Sequence, residues 1–245
     1  ALVAFLGIKS ADATSRILGV LLLLESCAIA FFCALAIRNP ADGLSVDTLS
    51  PTALIGAGTG TLLAFTIAGF MGIESSAMYA EEAVNPEKTI PNATLISILI
   101  ISGFYGFSSW SIAQSTGESQ VVKAAQESGS DLFFNFIASQ GYQSIVPLIQ
   151  LLLVTSLFAA VTAFHNSISR YLMALGREWV IWKNLGAVSE KGTPVTASLF
   201  QSCFGFIALS AALAAQILSG YDDSFPSVIV FSWMSNAGGF GLVFL

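Results

Sequence analysis

Apolar residues recur along this chain in long runs, and the short stretches between them hold most of the charge. Crossing a hydrocarbon layer takes about 20 mostly apolar residues in one helix. Six runs meet that length and predict helices over about 17–37, 61–80, 93–113, 145–175, 195–218 and from Pro226 onward. Residues 1–8 read as the tail of an earlier span. Breaker residues punctuate the gaps: Asn39-Pro40 through Pro51, Asn85-Pro86, and Gly192-Thr193-Pro194. Residues 115–141 are too polar to span. Their Val121, Val122, Leu132, Phe133, Phe134 and Phe136 predict short amphipathic helices lying on the outer face.

Composition strengthens that pattern. Charged residues make up 10% of the 245-residue chain, against about 25% in a soluble domain. Apolar residues reach 55%, too many for a water-soluble globule to hide. The expected class is an all-α polytopic membrane protein with about six spans, in the cell membrane (plasma or inner). A net charge of −6 leaves no basic footprint for nucleic acid. Cys27, Cys33 and Cys203 all lie in apolar runs and outline neither a disulfide framework nor a metal site, and no cofactor is expected. The chain opens on Ala1 in one apolar run and stops at Leu245 in another, so it reads as a piece of a longer protein.

Orientation follows from Lys and Arg, which favour cytoplasmic loops. Alternate loops put Lys9, Arg16, Lys88, Arg170, Arg177, Lys183 and Lys191 on one face, against Arg38 and Lys123 on the other. The richer face is assigned to the cytoplasm, so the second predicted helix runs inward.

That second helix carries the chemistry. It reads Phe65-Thr66-Ile67-Ala68-Gly69-Phe70-Met71-Gly72-Ile73-Glu74 through its middle. At 1.5 Å per residue, Gly69 and Gly72 fall near the bilayer midplane. Two glycines three apart weaken the helix locally. An interruption there leaves carbonyls at the end of the outer half and amides at the start of the inner half, ends that carry about half a charge of opposite sign. At that depth, bare backbone is tolerated only around a cavity or a ligand. The competing reading is that the glycines let a neighbouring helix approach closely. Glu74 favours the interruption, since a mid-membrane carboxylate costs about 3 kcal/mol and faces a cavity, a partner or a proton.

Other polar groups at depth are fewer. Glu25, after Leu21 to Leu24, is either a proton carrier or half of a buried polar pair. His165 reads as a packed, hydrogen-bonded residue, because no second His stands by to share a metal. Thr155 and Ser156 offer adjacent hydroxyls for a small cation, or for bonds back to their own helix. The glycine-rich Gly56 to Thr61 lacks the ending of a phosphate-binding loop and reads as a lead-in to the second helix. Asn92-Ala93-Thr94 matches a glycosylation site but faces the cytoplasm.

Two stretches resemble a known family. Phe70-Met71-Gly72-Ile73-Glu74, followed by Glu81-Glu82-Ala83-Val84-Asn85-Pro86-Glu87-Lys88-Thr89-Ile90-Pro91, is similar to the sixth-helix signature of amino acid permeases in the amino acid–polyamine–organocation superfamily. Ala163-Phe164-His165-Asn166 and Arg170 through Arg177, then Gly192-Thr193-Pro194-Val195, resemble that family's eighth helix, the loop after it and the start of the ninth. The resemblance implies a partial five-plus-five inverted-repeat fold within one transmembrane domain, with about 1–37 closing the first repeat and about 52–245 forming the second. It implies that carbonyls around Ala68, Gly69 and Met71 receive a substrate ammonium, with Phe70 as a wall or gate and Gly72 and Ile73 completing the site. Two departures stand out. Some proton-coupled relatives place a Lys where Glu25 aligns. An acidic-Gly-x-x-Pro turn commonly follows the eighth helix, but here Glu178-Trp179-Val180-Ile181-Trp182 replaces it, with Trp at both helix-stopping positions. The two Trp are expected to sit at the membrane interface.

The expected function is secondary active transport of amino acids or related amines by alternating access, as proton-coupled symport or exchange. Glu74 is the expected pH-responsive gate and Glu25 a second proton site. The partners are the substrate, protons and the lipid bilayer. The alternative is a channel-like or membrane-embedded enzyme scaffold, which would need convergent catalytic groups or a polar stripe along several helices.

Overall fold

A computed structural model describes residues 11–56, 58–189, 192–220 and 229–243. Residues 1–8 and Pro226, both used above to place spans, lie outside the described residues. The described chain is helical and contains no strand. Its α-helices are α1 Ala11–Arg38, α2 Thr59–Ala68, α3 Pro86–Thr116, α4 Val121–Ser128, α5 Asp131–Ile137, α6 Val146–Arg177, α7 Val195–Ser219 and α8 Phe231–Val243. A 3-10 helix over Ile73–Glu82 follows α2.

Among the described residues, five stretches are long and apolar enough to cross a membrane: Gly19–Arg38, Thr59–Met78, Pro86–Thr116, Asp131–Arg177 and Val195–Ser219. The expected sixth, α8, has 13 described residues, about 20 Å of helix. On α7, Phe206 is 73% and Leu209 74% exposed, an outward apolar face that suits hydrocarbon rather than water. The short helices α4 and α5 occupy the polar segment where amphipathic helices were expected.

The main boundary difference is at α3. The sequence reading starts that helix at Ala93, but it begins at Pro86 and carries Pro91 inside it. Pro86 stands at the first position, where its missing N–H is not needed. The Asn85 carbonyl accepts from Lys88 N–H (3.1 Å) and Thr89 N–H (2.8 Å), closing the first turn.

The chain divides into two compact units. One comprises 15–57 and 99–160. Its core joins Phe32, Cys33 and Ala36 of α1 to Phe134 and Ile137 of α5 and Ile149 of α6. The Phe32 ring stacks on Phe133 at 4.7 Å and meets Phe136 edge-on at 5.3 Å. The loop after α1 is tied to the end of α3 through Gln114, whose carbonyl accepts from Ala41 N–H and whose side-chain oxygen accepts from Ser45 N–H. Trp110 Nε1–H donates to the Ser45 carbonyl at 2.8 Å.

The described residues of the other unit are 11–14, 58–98, 161–189, 192–220 and 229–243. Here α8 lies close against α2. A Cβ on Gly239 would sit 3.2 Å from the Ala64 carbonyl, and one on Gly238 would meet the Met71 sulfur at 2.6 Å. The α6 and α7 segments are joined by a buried hydrogen bond, His165 Nε2 to Ser198 Oγ at 2.8 Å.

Candidate functional site

Helix α2 stops after ten residues, about 15 Å, half the hydrocarbon thickness. Up to Gly69 the bonding is α-helical, with Gly69 N–H donating to the Phe65 carbonyl at 2.9 Å. Beyond it the spacing tightens. Phe70 N–H donates to Ile67, Met71 N–H to Ala68, Ile73 N–H to Phe70 and Ser75 N–H to Gly72, each three residues back. The next ten residues, Ile73–Glu82, then remain in 3-10 form. Runs longer than three or four residues in this form are uncommon, and a mid-helix stretch marks a hinge or a strained sequence.

Gly72 creates the discontinuity. Its φ of 99° and ψ of −10° lie on the left-handed side, which a side chain strongly disfavours. Gly69, by contrast, has an ordinary helical φ of −64°. At Gly72 the two readings can now be separated. Close helix approach in this region is made by Gly238 and Gly239 of α8, against Met71, Ala64 and Ala68. A Cβ on Gly72 would meet only the Phe164 ring, at an ordinary 3.5 Å. Gly72 is therefore required by backbone conformation rather than by packing.

Glu74 completes the break. Its carboxylate Oε2 accepts from Gly72 N–H at 2.9 Å, giving a partner to an amide that the interruption leaves without a helical one. Ser75 Oγ donates to the Gly72 carbonyl at 2.5 Å. Ser76 bonds across to Thr94 of α3 at 2.7 Å, fixing the inner half against its neighbour. The Tyr171 phenol of α6 lies within electrostatic reach of Glu74. The two sides of the break are thus treated differently. The amide side receives the chain's own carboxylate, whereas the Ile67 and Ala68 carbonyls accept from neutral backbone N–H groups, those of Phe70 and Met71.

A second polar location lies in the other unit. Glu25 of α1 and Ser156 of α6 line the same cavity, about 260 Å³, together with Ser130 and a mostly apolar wall including Phe133, Phe134 and Leu152. One carboxylate oxygen of Glu25, Oε1, is buried and has no hydrogen-bond partner among the described residues. Thr155 points its hydroxyl back into the helix instead, donating to the Leu152 carbonyl at 2.8 Å. The adjacent hydroxyls therefore have separate roles, and Ser156 is the one that shares a space with Glu25. His165 is buried and bonded to Ser198, as the packed reading expects.

Phe164, Tyr171, Ser75 and Gly238 surround the break and carry no signal as isolated residues in the sequence. Phe164 and Tyr171 lie seven apart on α6, two helical turns, so they share a face, and that spacing was the available clue.

An apolar span interrupted midway along its length is an arrangement that many transporters share. The amino acid permease family profile matches residues 4–245. The chain belongs to the amino acid permease family, which is one of transporters, not enzymes. Among curated proteins it is similar to the valine/tyrosine/tryptophan amino-acid permease 1 of Saccharomyces cerevisiae, at 26% identity over 162 residues. That stretch covers 63% of this chain and 26% of the relative, so the chain matches about a quarter of that protein's length. No solved structure gives a significant match.

Proposed function

We propose that the chain forms part of a secondary active transporter that moves amino acids or related amines across a cell membrane by alternating access. The observation that carries this reading is the break at Ala68–Gly72, in a chain of the amino acid permease family. A carbonyl oxygen has two lone pairs, so the Ala68 oxygen has acceptor capacity beyond its bond from Met71 N–H. The negative end of a half-helix dipole and that acceptor suit an ammonium. Backbone around Ala68, Gly69 and Met71 is the proposed ammonium site, with Phe70 as its wall and Gly72 and Ile73 setting its shape. In the inverted-repeat arrangement, residues from about 52 onward form the second repeat.

Glu74 is the proposed pH-responsive gate. Protonating it converts a charge-assisted bond to Gly72 N–H into a weaker one and loosens the kink. Glu25 and Ser156 form the proposed coupling site, where an unpartnered carboxylate oxygen beside a hydroxyl takes a proton or a small cation. Proton-coupled symport would use such a site, whereas substrate exchange needs none.

The test is uptake of radiolabelled amino acids by the whole protein in proteoliposomes. Saturable uptake, competed by unlabelled substrate and reduced by Gly72→Val, is the expected outcome. If no amino acid or amine is taken up saturably, with or without a pH gradient or preloaded substrate, the reading fails.

A further inference from the structure

The turn that closes α6 departs from what its backbone prefers. Trp179 N–H donates to the Gly176 carbonyl at 3.3 Å, and Val180 N–H donates to the Leu175 carbonyl at 3.0 Å. This pair of bonds is the Schellman closure, whose left-handed position is usually glycine. Here Trp179 occupies it at φ 60°, the one non-glycine residue with positive φ among the described residues. A bulky residue held in that conformation costs stability, which directs attention to what its side chain does.

That side chain is not packed into a core. Trp179 is 70% exposed, Val180 68% and Trp182 60%. They stand at the end of a span that reaches Arg177, where amphipathic indoles favour the membrane–water boundary. Lys183 Nζ lies 4.1 Å from the centre of the Trp179 ring, so the indole also positions a cation. Beneath them is an open cavity of about 380 Å³ whose lining includes Arg177, Trp179, Lys183 and Asn184 and no carboxylate. Its floor is backbone: Gly176 and Gly186 approach so closely that a Cβ on Gly176 would sit 2.6 Å from Gly186 N. Among the described residues neither Arg177 nor Lys183 forms an ion pair, and the neighbouring Glu178 is exposed and outside the lining.

We propose that this turn is a headgroup site for an anionic phospholipid. Arg177 and Lys183 take the phosphate, Asn184 donates to it, and Trp179 and Trp182 sit at the boundary of headgroup and acyl chain. The charge of the cavity selects an anion, and the exposed indoles beside it select one carried by a membrane rather than one free in solution. The proposal concerns lipid recognition by the loop and does not depend on which solute is transported.

The experiment uses the whole protein in phosphatidylcholine bilayers, with acyl-brominated phosphatidylglycerol or acyl-brominated phosphatidylcholine as the quencher of tryptophan fluorescence. A Trp179→Phe/Trp182→Phe variant identifies the signal of these two residues. Stronger quenching by the anionic lipid is expected. Arg177→Gln with Lys183→Gln should raise the half-quenching concentration roughly thirty-fold, the combined effect of two basic groups at a membrane surface. Equal quenching by both lipids, or an unchanged curve in the double variant, would overturn the proposal. Inorganic phosphate is the third probe. Failure to displace the lipid is expected, and displacement at comparable concentration would identify a soluble-anion site instead. Trp179→Gly restores the residue the backbone prefers. A rise in Tm with loss of anionic selectivity supports a recognition role for the indole, whereas a rise in Tm with selectivity intact removes it.

Discussion

Gly72 and Trp179 both stand on the left-handed side of conformational space, at φ 99° and 60°, yet one position has no side chain and the other carries the largest. The difference lies partly in the angle. A φ near 60° is inside the small region that side chains can enter at a cost, whereas 99° lies beyond it. It also lies in the surroundings. Gly72 faces the Phe164 ring inside the bundle, and Trp179 projects outward over Lys183. The first turn makes use of its backbone, and its glycine follows from geometry. The second has an ordinary helix-stopping geometry that glycine would satisfy better, so its tryptophan points to the side chain.

The largest test of that contrast is Gly72→Val. A β-branched residue at φ 99° should cost about 1–3 kcal/mol and remove saturable uptake, checked by thermal melting and by transport in proteoliposomes. Wild-type uptake would mean that the break is not the recognition element. Next comes Glu74→Gln, which keeps an acceptor oxygen near Gly72 N–H but removes its charge. A loss of about 1 kcal/mol is expected, from the difference between charged and neutral hydrogen bonds, together with a flattened pH profile of uptake. An unchanged profile would leave Glu74 a purely structural cap. Trp179→Gly acts in the opposite direction. Release of left-handed strain, less the entropy that glycine adds to the unfolded chain, should stabilise by roughly 0.5–1 kcal/mol, a few degrees at most in Tm. Smallest is Lys183→Met, which deletes an exposed cation–π contact worth about 0.5 kcal/mol. A change in Tm that differs between wild type and the Trp179→Gly background would measure that contact directly.

Much of the architecture was legible because the membrane simplifies it. The ends of α6 and α7 were placed within one or two residues, from the bounds of their apolar runs and the Pro194 before α7. The interruption near Gly69 and Gly72 was also legible, from two glycines and a carboxylate at half-depth. The assignment of roles within it was not. Nothing in the sequence distinguishes Gly69, which is helical, from Gly72, which is left-handed, because either could end a helix. The long 3-10 run was hidden because bonding three back and bonding four back differ by little in local preference, so tertiary contacts such as Ser76 with Thr94 decide. Glu74 as a partner for Gly72 N–H was missed although the two are near in sequence, because the amide is exposed only once the break exists. Glu25 and Ser156 meet only through the packing of α1 on α6, which no local pattern encodes. Pro91, the sixth residue of α3, has no N–H for the Glu87 carbonyl, yet the helix runs through it from Pro86.

The 3-10 run has a mechanical corollary. Ten residues in this form rise about 2.0 Å each and extend about 20 Å, while the same ten wound as an α-helix would extend about 15 Å. Rewinding Ile73–Glu82 would therefore draw its far end some 5 Å toward the kink, roughly one pitch, and turn it by about 200° about the helix axis. In this segment a change of hydrogen-bond register would be a change of length, measured from the bond between Glu74 and Gly72.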